Sequence, residues 1–179
     1  EVHERVRKGE CDLGIVSYPE RLRDVASIRL RDEDMVLVCA AGHRLAGRAR
    51  VGPADLAGQS LVGFDAHLPI SREILTYLRS HGVRPEIVHS FDNVDTIKAA
   101  VAGSNSVALL PERTVRAEVE LGILSSARLK PTLVRPIGII HGREQEFSPL
   151  VQSLIAFLLN YESPEASAPM ERTTASPMA

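Results

Sequence analysis

The chain has 179 residues, 44% of them apolar, which suffices for a sizeable core in one large or two small lobes. Lysine and arginine total 21 against 23 aspartates and glutamates, so 21 − 23 gives −2 with histidine neutral, and no basic run stands out. That balance argues against a surface that neutralises nucleic-acid phosphates, no apolar stretch approaches the ~18 residues of a bilayer span, and the charged start 1–10 does not read as a signal peptide.

Residues 1 to 8 read as the end of a polar helix, with Val2 and Val6 one turn apart and Gly9 as its stop. Leu13 to Val16 suits a buried parallel strand. Ala26 to Arg31 alternates as a half-exposed strand does, whereas Met35 to Ala41 is continuous and apolar, hence buried. Gly52-Pro53 and Ala57-Gly58 bracket a single helical turn, and Leu61 to Phe64 is a short strand opening onto the loop Asp65 to Ile70. The next helix has Ser71 as expected N-cap, Glu73 in its first turn, Ile74, Leu75 and Leu78 facing the core, and Gly82 at its end.

Glu86 to His89 is a further strand. Asp92 or Asn93 can cap the helix that follows, where Val94, Ile97 and Val101 share one face, and Gly103 to Ser106 turns the chain into the buried run Val107 to Leu110. Pro111 suits the first turn of another helix, with Val115 and Val119 on its apolar face, a Glu112 to Arg116 ion pair and Gly122 as its close. Thr132 to Ile140 is a strand in which Pro136 implies an edge or a bend. Ser148 and Pro149 open the last helix, whose Leu150, Val151, Leu154, Ile155 and Leu158 form one wide stripe. Residues 163–179 lose periodicity and read as a disordered tail.

Strands alternating with helices argue for an α/β architecture with parallel pairing. In such sheets ligands collect at the carboxyl ends of strands, which directs attention to three loops. Ser17 and Tyr18 offer a hydroxyl and an aromatic wall, or are a plain turn before Pro19. Gly63, Phe64 and Asp65 permit close backbone approach and ring stacking, unless Phe64 fills core. Phe91, Asp92 and Asn93 lie where a helix start presents amide groups, unless the cap satisfies itself. Asp92 and Asp95 oppose an anion at that helix start, which makes a neutral or amphoteric ligand easier to justify there than a multiply charged anion. Ser104 and Ser106 read as compatible turn residues, with lining of the next loop as the alternative.

No HExxH, GxSxG or phosphate-loop pattern supports catalysis, and no cofactor is expected. Cys11 and Cys39 lack metal-ligand spacing and read as buried, reduced thiols of a cytosolic protein.

Three segments carry a family resemblance: Gly9-Glu10-Cys11-Asp12-Leu13-Gly14-Ile15-Val16, the run Ser90 to Pro111, and Arg135-Pro136-Ile137-Gly138-Ile139-Ile140-His141. With Asp34 to Val38, Gly42 to Leu45, Asp55-Leu56 and Leu68-Pro69-Ile70 in the same order, the chain from about Val2 to about Leu159 resembles the effector-binding domain of a LysR-type transcriptional regulator. Ser104 and Ser106 depart from the glycines usual in that family. The chain begins without Met, and the resemblance places a winged helix-turn-helix, a linker helix and the first domain strand, with its effector-contacting loop, upstream of residue 1.

The resemblance implies two Rossmann-like lobes joined by two crossover strands, as in a type II periplasmic binding protein. Lobe I would comprise residues 1–42 and 142–162, lobe II residues 43–141. It further implies a small-molecule effector in the cleft at Ser17, Tyr18, Gly63, Phe64, Asp65, Phe91, Asp92 and Asn93, and a homodimer or tetramer. DNA contact would run only through the separate N-terminal domain, in the cytoplasm, with no membrane partner and no enzymatic activity. The alternative is a solute-binding protein of similar fold serving a transporter; an enzyme on the same scaffold is the third reading.

Overall fold

The computed structural model describes residues 1–20 and 22–161, and the chain falls into two units, 1–143 and 144–179. The tail expected over 163–179 lies outside the described residues.

In the first unit, helix α1 (Val2–Arg7) ends at Gly9, whose φ of 70° is the left-handed value a glycine stop supplies. Strand β1 (Gly14–Ser17) follows, and α1 lies so close that a Cβ on Gly14 would come 2.5 Å from Val2 Cγ1. The alternating and the continuous apolar runs turn out to be one strand, β2 (Val25–Ala40), half-exposed at its start and buried from Met35 to Cys39. After β3 (Arg50–Val51) and the one-turn helix α2 (Pro53–Leu56) come β4 (Ser60–Phe64), α3 (Pro69–Ser80), β5 (Glu86–Phe91), α4 (Val94–Ala102) and β6 (Val107–Pro111). A 3₁₀ turn (Glu112–Val115) leads into α5 (Arg116–Glu120), and β7 (Leu124–Gly142) closes the unit.

Among the described residues these seven strands form one sheet in the order β1-β7-β2-β6-β4-β5, with β3 on the flank of β7. β2 and β7 are antiparallel neighbours from Val25↔Gly142 to Ala40↔Leu124, so both run through the whole sheet as the two expected crossover strands. β1 joins only the C-terminal half of β7, at Ile137 to Ile140, while β6 joins only the buried half of β2, at Met35 to Cys39. The sheet thus has two ends with β2 and β7 in common. The larger end carries the main core, including Leu37, Leu61, Ile74, Ile97 and Leu109; Val6, Val25 and Ile140 form a small cluster at the other.

Four local expectations are corrected. β1 pairs antiparallel and exposes Ile15 by 54%, because it is an edge strand held by β7 alone rather than an interior parallel one. Helix α3 begins two residues earlier than Ser71, since Pro69 fits the first helical position and Leu68 takes the N-cap place without a side-chain bond. Pro111 ends β6 instead of opening an α-helix, and the segment after it is first a 3₁₀ turn. Glu112 pairs across to Arg128 at 4.0 Å rather than along the helix to Arg116.

Pro136 does sit at an opening in the ladder. It lies opposite Asp32 where β2 is the strand partner of β7, one residue before β1 joins at Ile137. The jump from Met35↔Leu133 to Val36↔Arg128 leaves Leu129 to Thr132 without partners on β2. Tyr77 of α3 fills in there, its hydroxyl donating to the Pro131 carbonyl at 2.6 Å.

The second unit holds helix α6 (Pro149–Asn160), with Ser148 Oγ accepting from the Val151 amide at 3.4 Å and Pro149 in the first turn. Ile155 of its stripe is buried, whereas Leu150 is 79% exposed.

Candidate functional site

Two of the three predicted loops meet because β4 and β5 are parallel neighbours. Their ends lie side by side as Gly63↔Ser90 and Phe64↔Phe91, and the Asp65 amide donates to the Phe91 carbonyl at 3.1 Å. Both strands therefore deliver their carboxyl ends to one place, where α3 and α4 begin. Ser71, inside α3 and buried, donates its hydroxyl to the Phe64 carbonyl at 3.0 Å and fixes the helix start to the strand end.

Phe64 is 6% exposed and belongs to the main core, so its ring supports this place from beneath. A Cβ at Gly63 would meet only Ile87 Cγ2 at 3.7 Å, an ordinary contact, so packing within the chain does not demand glycine. Asn93 is the N-cap of α4: its Oδ1 accepts from the Asp95 and Thr96 amides at 2.8 and 3.2 Å. That occupies two of the helix amides, and Asn93 itself is exposed. Asp92 is exposed beside it. Ser104 and Ser106 form a local turn, the Ser104 hydroxyl accepting from the Ser106 amide at 3.2 Å.

The third loop follows β1. Ser17 is the last strand residue, paired with Ile137, and Tyr18 then adopts φ 51°, in the left-handed region that non-glycine residues rarely occupy. Two contacts hold it there. The Tyr18 amide donates to the Pro136 carbonyl at 2.8 Å, and Pro19 seats against Gly138, where a Cβ would come 3.0 Å from Pro19 Cγ. Locally strained backbone of this kind concentrates where a side chain must be aimed. The aim carries the Tyr18 ring from β1 onto the main core at the opposite end of the sheet, near Glu73, which the earlier start of α3 at Pro69 moves out of the helix's first turn. Its hydroxyl is buried and has no hydrogen-bond partner. Burial pushes the phenol up to about 12, with Glu73 adding to the shift and Arg135 opposing it.

Sequence reasoning missed the charged residues beside Tyr18. Glu33 of β2, 8% exposed, lies opposite Arg135 of β7 and faces three guanidinium groups. Arg31 Nε donates to Glu33 Oε1 at 3.1 Å. Arg113, from the 3₁₀ turn at the carboxyl end of β6, stands 3.6 Å from the same oxygen, and Arg135 Nε stands 3.6 Å from Oε2. These two distances are too long for hydrogen bonds, and Arg135 Nε is buried without a partner. The only sequence signal was the alternation of Arg29, Arg31 and Glu33, which reads equally as the wet face of a strand.

The turn bearing Arg113 is anchored from α4. Lys98 Nζ, on a side chain 14% exposed, donates to the Thr114 carbonyl at 3.1 Å, Glu118 Oε1 at 2.7 Å and Asp95 Oδ1 at 2.9 Å. A separate open groove of about 330 Å³ is lined by Asp34, Arg50, Arg128 and Lys130 among others, and includes none of the predicted residues. Among the described residues, no group of His, Cys, Asp and Glu is arranged to hold a metal, and no helix is long and apolar enough to cross a membrane.

The LysR substrate binding domain pattern matches residues 1–162. The chain is 29% identical over 153 residues to a probable hydrogen peroxide-inducible genes activator of Mycobacterium avium, covering 81% of this chain and 49% of that protein. It is 29% identical over 177 residues to an SDS degradation transcriptional activation protein of a Pseudomonas strain, covering 93% and 56%. The chain thus spans about half the length of these curated relatives. Among solved structures it is similar to the Synechocystis CcmR regulatory domain in complex with 2-PG, with TM-score 0.79, 19% identity and coverage of 88% and 76%. The C-terminal domain of a probable LysR family regulator from Rhodococcus gives TM-score 0.75, 24% identity and coverage of 87% and 78%. The fold is accordingly that of LysR regulatory domains, α/β and type II periplasmic-binding-protein-like, with β2 and β7 as its crossovers. From Glu1 to Glu162, this chain belongs to the LysR substrate-binding domain family.

Proposed function

We propose that the chain is the effector-sensing and dimerising part of a LysR-like transcription regulator. Its effector is a small molecule held between lobe I (1–42 and 142–162) and lobe II (43–141). The observation that carries this reading is the aimed Tyr18: a strained residue at the end of β1 sets a buried, unpartnered hydroxyl against the main core near Glu73 of α3. Ser17 and Tyr18 would contact the effector from one side. Gly63, Asp65, Phe91, Asp92 and Asn93 would do so from the other, with Phe64 as their floor. The chemistry is binding without turnover, in the cytoplasm, and the regulator would exist as a homodimer or tetramer that reaches DNA through a separate N-terminal domain. The relatives bear names tied to unlike stimuli, so they do not choose the effector.

The test is a thermal-shift screen of metabolites followed by calorimetry on the parent and on Asn93→Ala and Tyr18→Phe. A genuine effector at a hundred times its Kd stabilises the fold by about 2.7 kcal/mol. Asn93→Ala costs ~1 kcal/mol as a lost cap, so affinities are compared where both proteins are fully folded. Affinity unchanged in both variants would remove these residues from the site.

A further inference from the structure

We propose that the effector carries a negatively charged oxygen group, a carboxylate or another oxyanion, bound by Arg113 and Arg135 together with the Tyr18 hydroxyl. The proposal rests on the reading of this chain as an effector domain and names the chemical class that the site accepts.

Charge is the first argument. Three guanidiniums face one carboxylate, so Arg31, Arg113 and Arg135 against Glu33 leave two positive charges over, and Glu73 beyond Tyr18 offsets one of them. Neighbouring carboxylates do not complete the balance: Asp32 is engaged by Arg29 and Glu112 leans to Arg128. Partly buried cations of like sign repel at low effective dielectric, and holding them together without a resident anion is unfavourable.

Hydrogen bonding is the second. Glu33 takes a hydrogen bond from Arg31, yet Arg113 and Arg135 stop at 3.6 Å, and Arg135 Nε is left buried and unbonded. The Tyr18 hydroxyl, which feels the charge of Arg135, is likewise buried and unbonded. Two orphaned donors within electrostatic reach of each other are an arrangement that an oxyanion completes, because it accepts from both. A neutral carbonyl would satisfy the donors but leave the charge.

Topology is the third. Tyr18 follows β1, Arg113 follows β6, and Arg31, Glu33 and Arg135 lie on the crossover strands between the two ends of the sheet. The basic groove at Arg50, Arg128 and Lys130 lacks these features, since Arg128 is solvated and 66% exposed there. It serves as the control.

The experiment titrates the whole chain with sodium sulfate against sodium chloride at constant ionic strength, following amide NMR shifts and melting temperature. A parallel arm titrates acetate, and a third screens uncharged metabolites by thermal shift. Expected is saturable sulfate binding, with shifts gathered at Tyr18, Arg113 to Val115 and Arg135. Arg113→Gln and Arg135→Gln should each weaken it tenfold or more, and Arg128→Gln should leave it unchanged. Arg135→Gln also removes a partner of Glu33 and can loosen the fold, so Tyr18→Phe supplies the second variant. It keeps the ring, deletes an unpartnered hydroxyl, and should cut affinity about three- to tenfold without lowering the melting temperature. Shifts that grow linearly with sulfate, or binding indifferent to Tyr18→Phe and Arg113→Gln, would overturn the proposal. Should uncharged compounds bind at the strand ends while neither anion does, the effector reading stands and the anionic class falls. If neither anions nor uncharged compounds produce shifts there, both fall.

Discussion

Lys98→Met should destabilise the fold by about 2 kcal/mol, and the structure says where that figure comes from. The methionine keeps the stem of the side chain and deletes the ammonium, which donates to Thr114, Glu118 and Asp95. Asp95 is 83% exposed, so its share is ~0.3 kcal/mol. The bonds to the Thr114 carbonyl and the partly buried Glu118 are charge-assisted, about 1.5 kcal/mol each at the lower end of their range. Recovered desolvation and side-chain entropy of the lysine offset part of that sum. Burial lowers the Lys98 amine, but its bonds to Glu118 and Asp95 outweigh this and raise it, while the bond from Lys98 holds the Glu118 carboxyl below its ordinary value. The stabilisation is therefore complete between the two unfolded values, ~4.3 and ~10.4. It is lost as pH falls through the folded value of Glu118 and as pH rises through that of Lys98. Urea unfolding of the parent, Lys98→Met, Glu118→Gln and the double variant at neutral pH closes a double-mutant cycle. A coupling of about 1 kcal/mol is expected; a coupling near zero, or a loss under ~0.5 kcal/mol for Lys98→Met, would refute the account. Because Thr114 follows Arg113, the same variant should also weaken sulfate binding.

Burial, reinforced by the charge of Arg44, holds the buried His43 imidazole below its ordinary value, with the Asn105 carbonyl opposing, and Nδ1 accepts from the Leu45 amide at 3.2 Å. The unfolded chain thus binds the extra proton first, and stability should drop as pH falls below ~6.5; urea midpoints at pH 7.5 and 5.5 measure this, and His43→Asn should flatten the difference. Burial likewise pushes the Cys39 thiol up, whereas Cys11 is half-exposed. A chromogenic disulfide reagent should therefore titrate one thiol rapidly in the native protein and both in denaturant, and equal rates would contradict the placement of Cys39. Gly138→Ala must displace Pro19 or the Ile28 carbonyl, which stand 3.0 and 3.2 Å from the new Cβ, at ~1–3 kcal/mol, while Gly63→Ala should stay within ~0.5 kcal/mol. Chemical denaturation of the pair reverses the argument if their order is reversed.

The elements that could be read from the chain are those whose signal is local. Gly9, Gly82 and Gly122 end helices with positive φ, Asn93 and Ser148 cap theirs, and Val107 to Leu110 is buried throughout. Pairing partners were illegible, because the apolar run at Leu13 to Val16 looks the same whether β7 alone or two parallel neighbours receive it. The helix start at Leu68 was obscured by Ser71, a good capping residue whose hydroxyl instead bonds the Phe64 carbonyl seven residues back. The site divides the same way. Its strand ends follow from topology and the family resemblance, but Arg113 and Arg135 meet at Glu33 only through the register of β2 against β7 and the turn after β6.

That meeting point bears on how a bound anion could change the domain. An effector with equal affinity for two arrangements shifts nothing, and moving a population from 1:99 to 99:1 requires about 5.5 kcal/mol of difference. Charge-assisted hydrogen bonds supply ~1.5–3 kcal/mol each, so two near the top of that range, or three of about 2 kcal/mol, that form in one arrangement only are enough. Tyr18 and Arg113 follow strands at different ends of the sheet, β1 and β6, between which β7 and β2 lie in the strand order. An anion touching both gains all its bonds only when those ends stand at one particular separation. Glu33 is the internal competitor in this scheme: with no anion present it draws on the same guanidiniums, at 3.6 Å from two of them. Replacing it by glutamine should raise sulfate affinity while narrowing the difference between bound and free states. That outcome separates a residue that competes with the anion from one that merely neutralises its neighbours, whose removal would raise affinity and leave the difference unchanged.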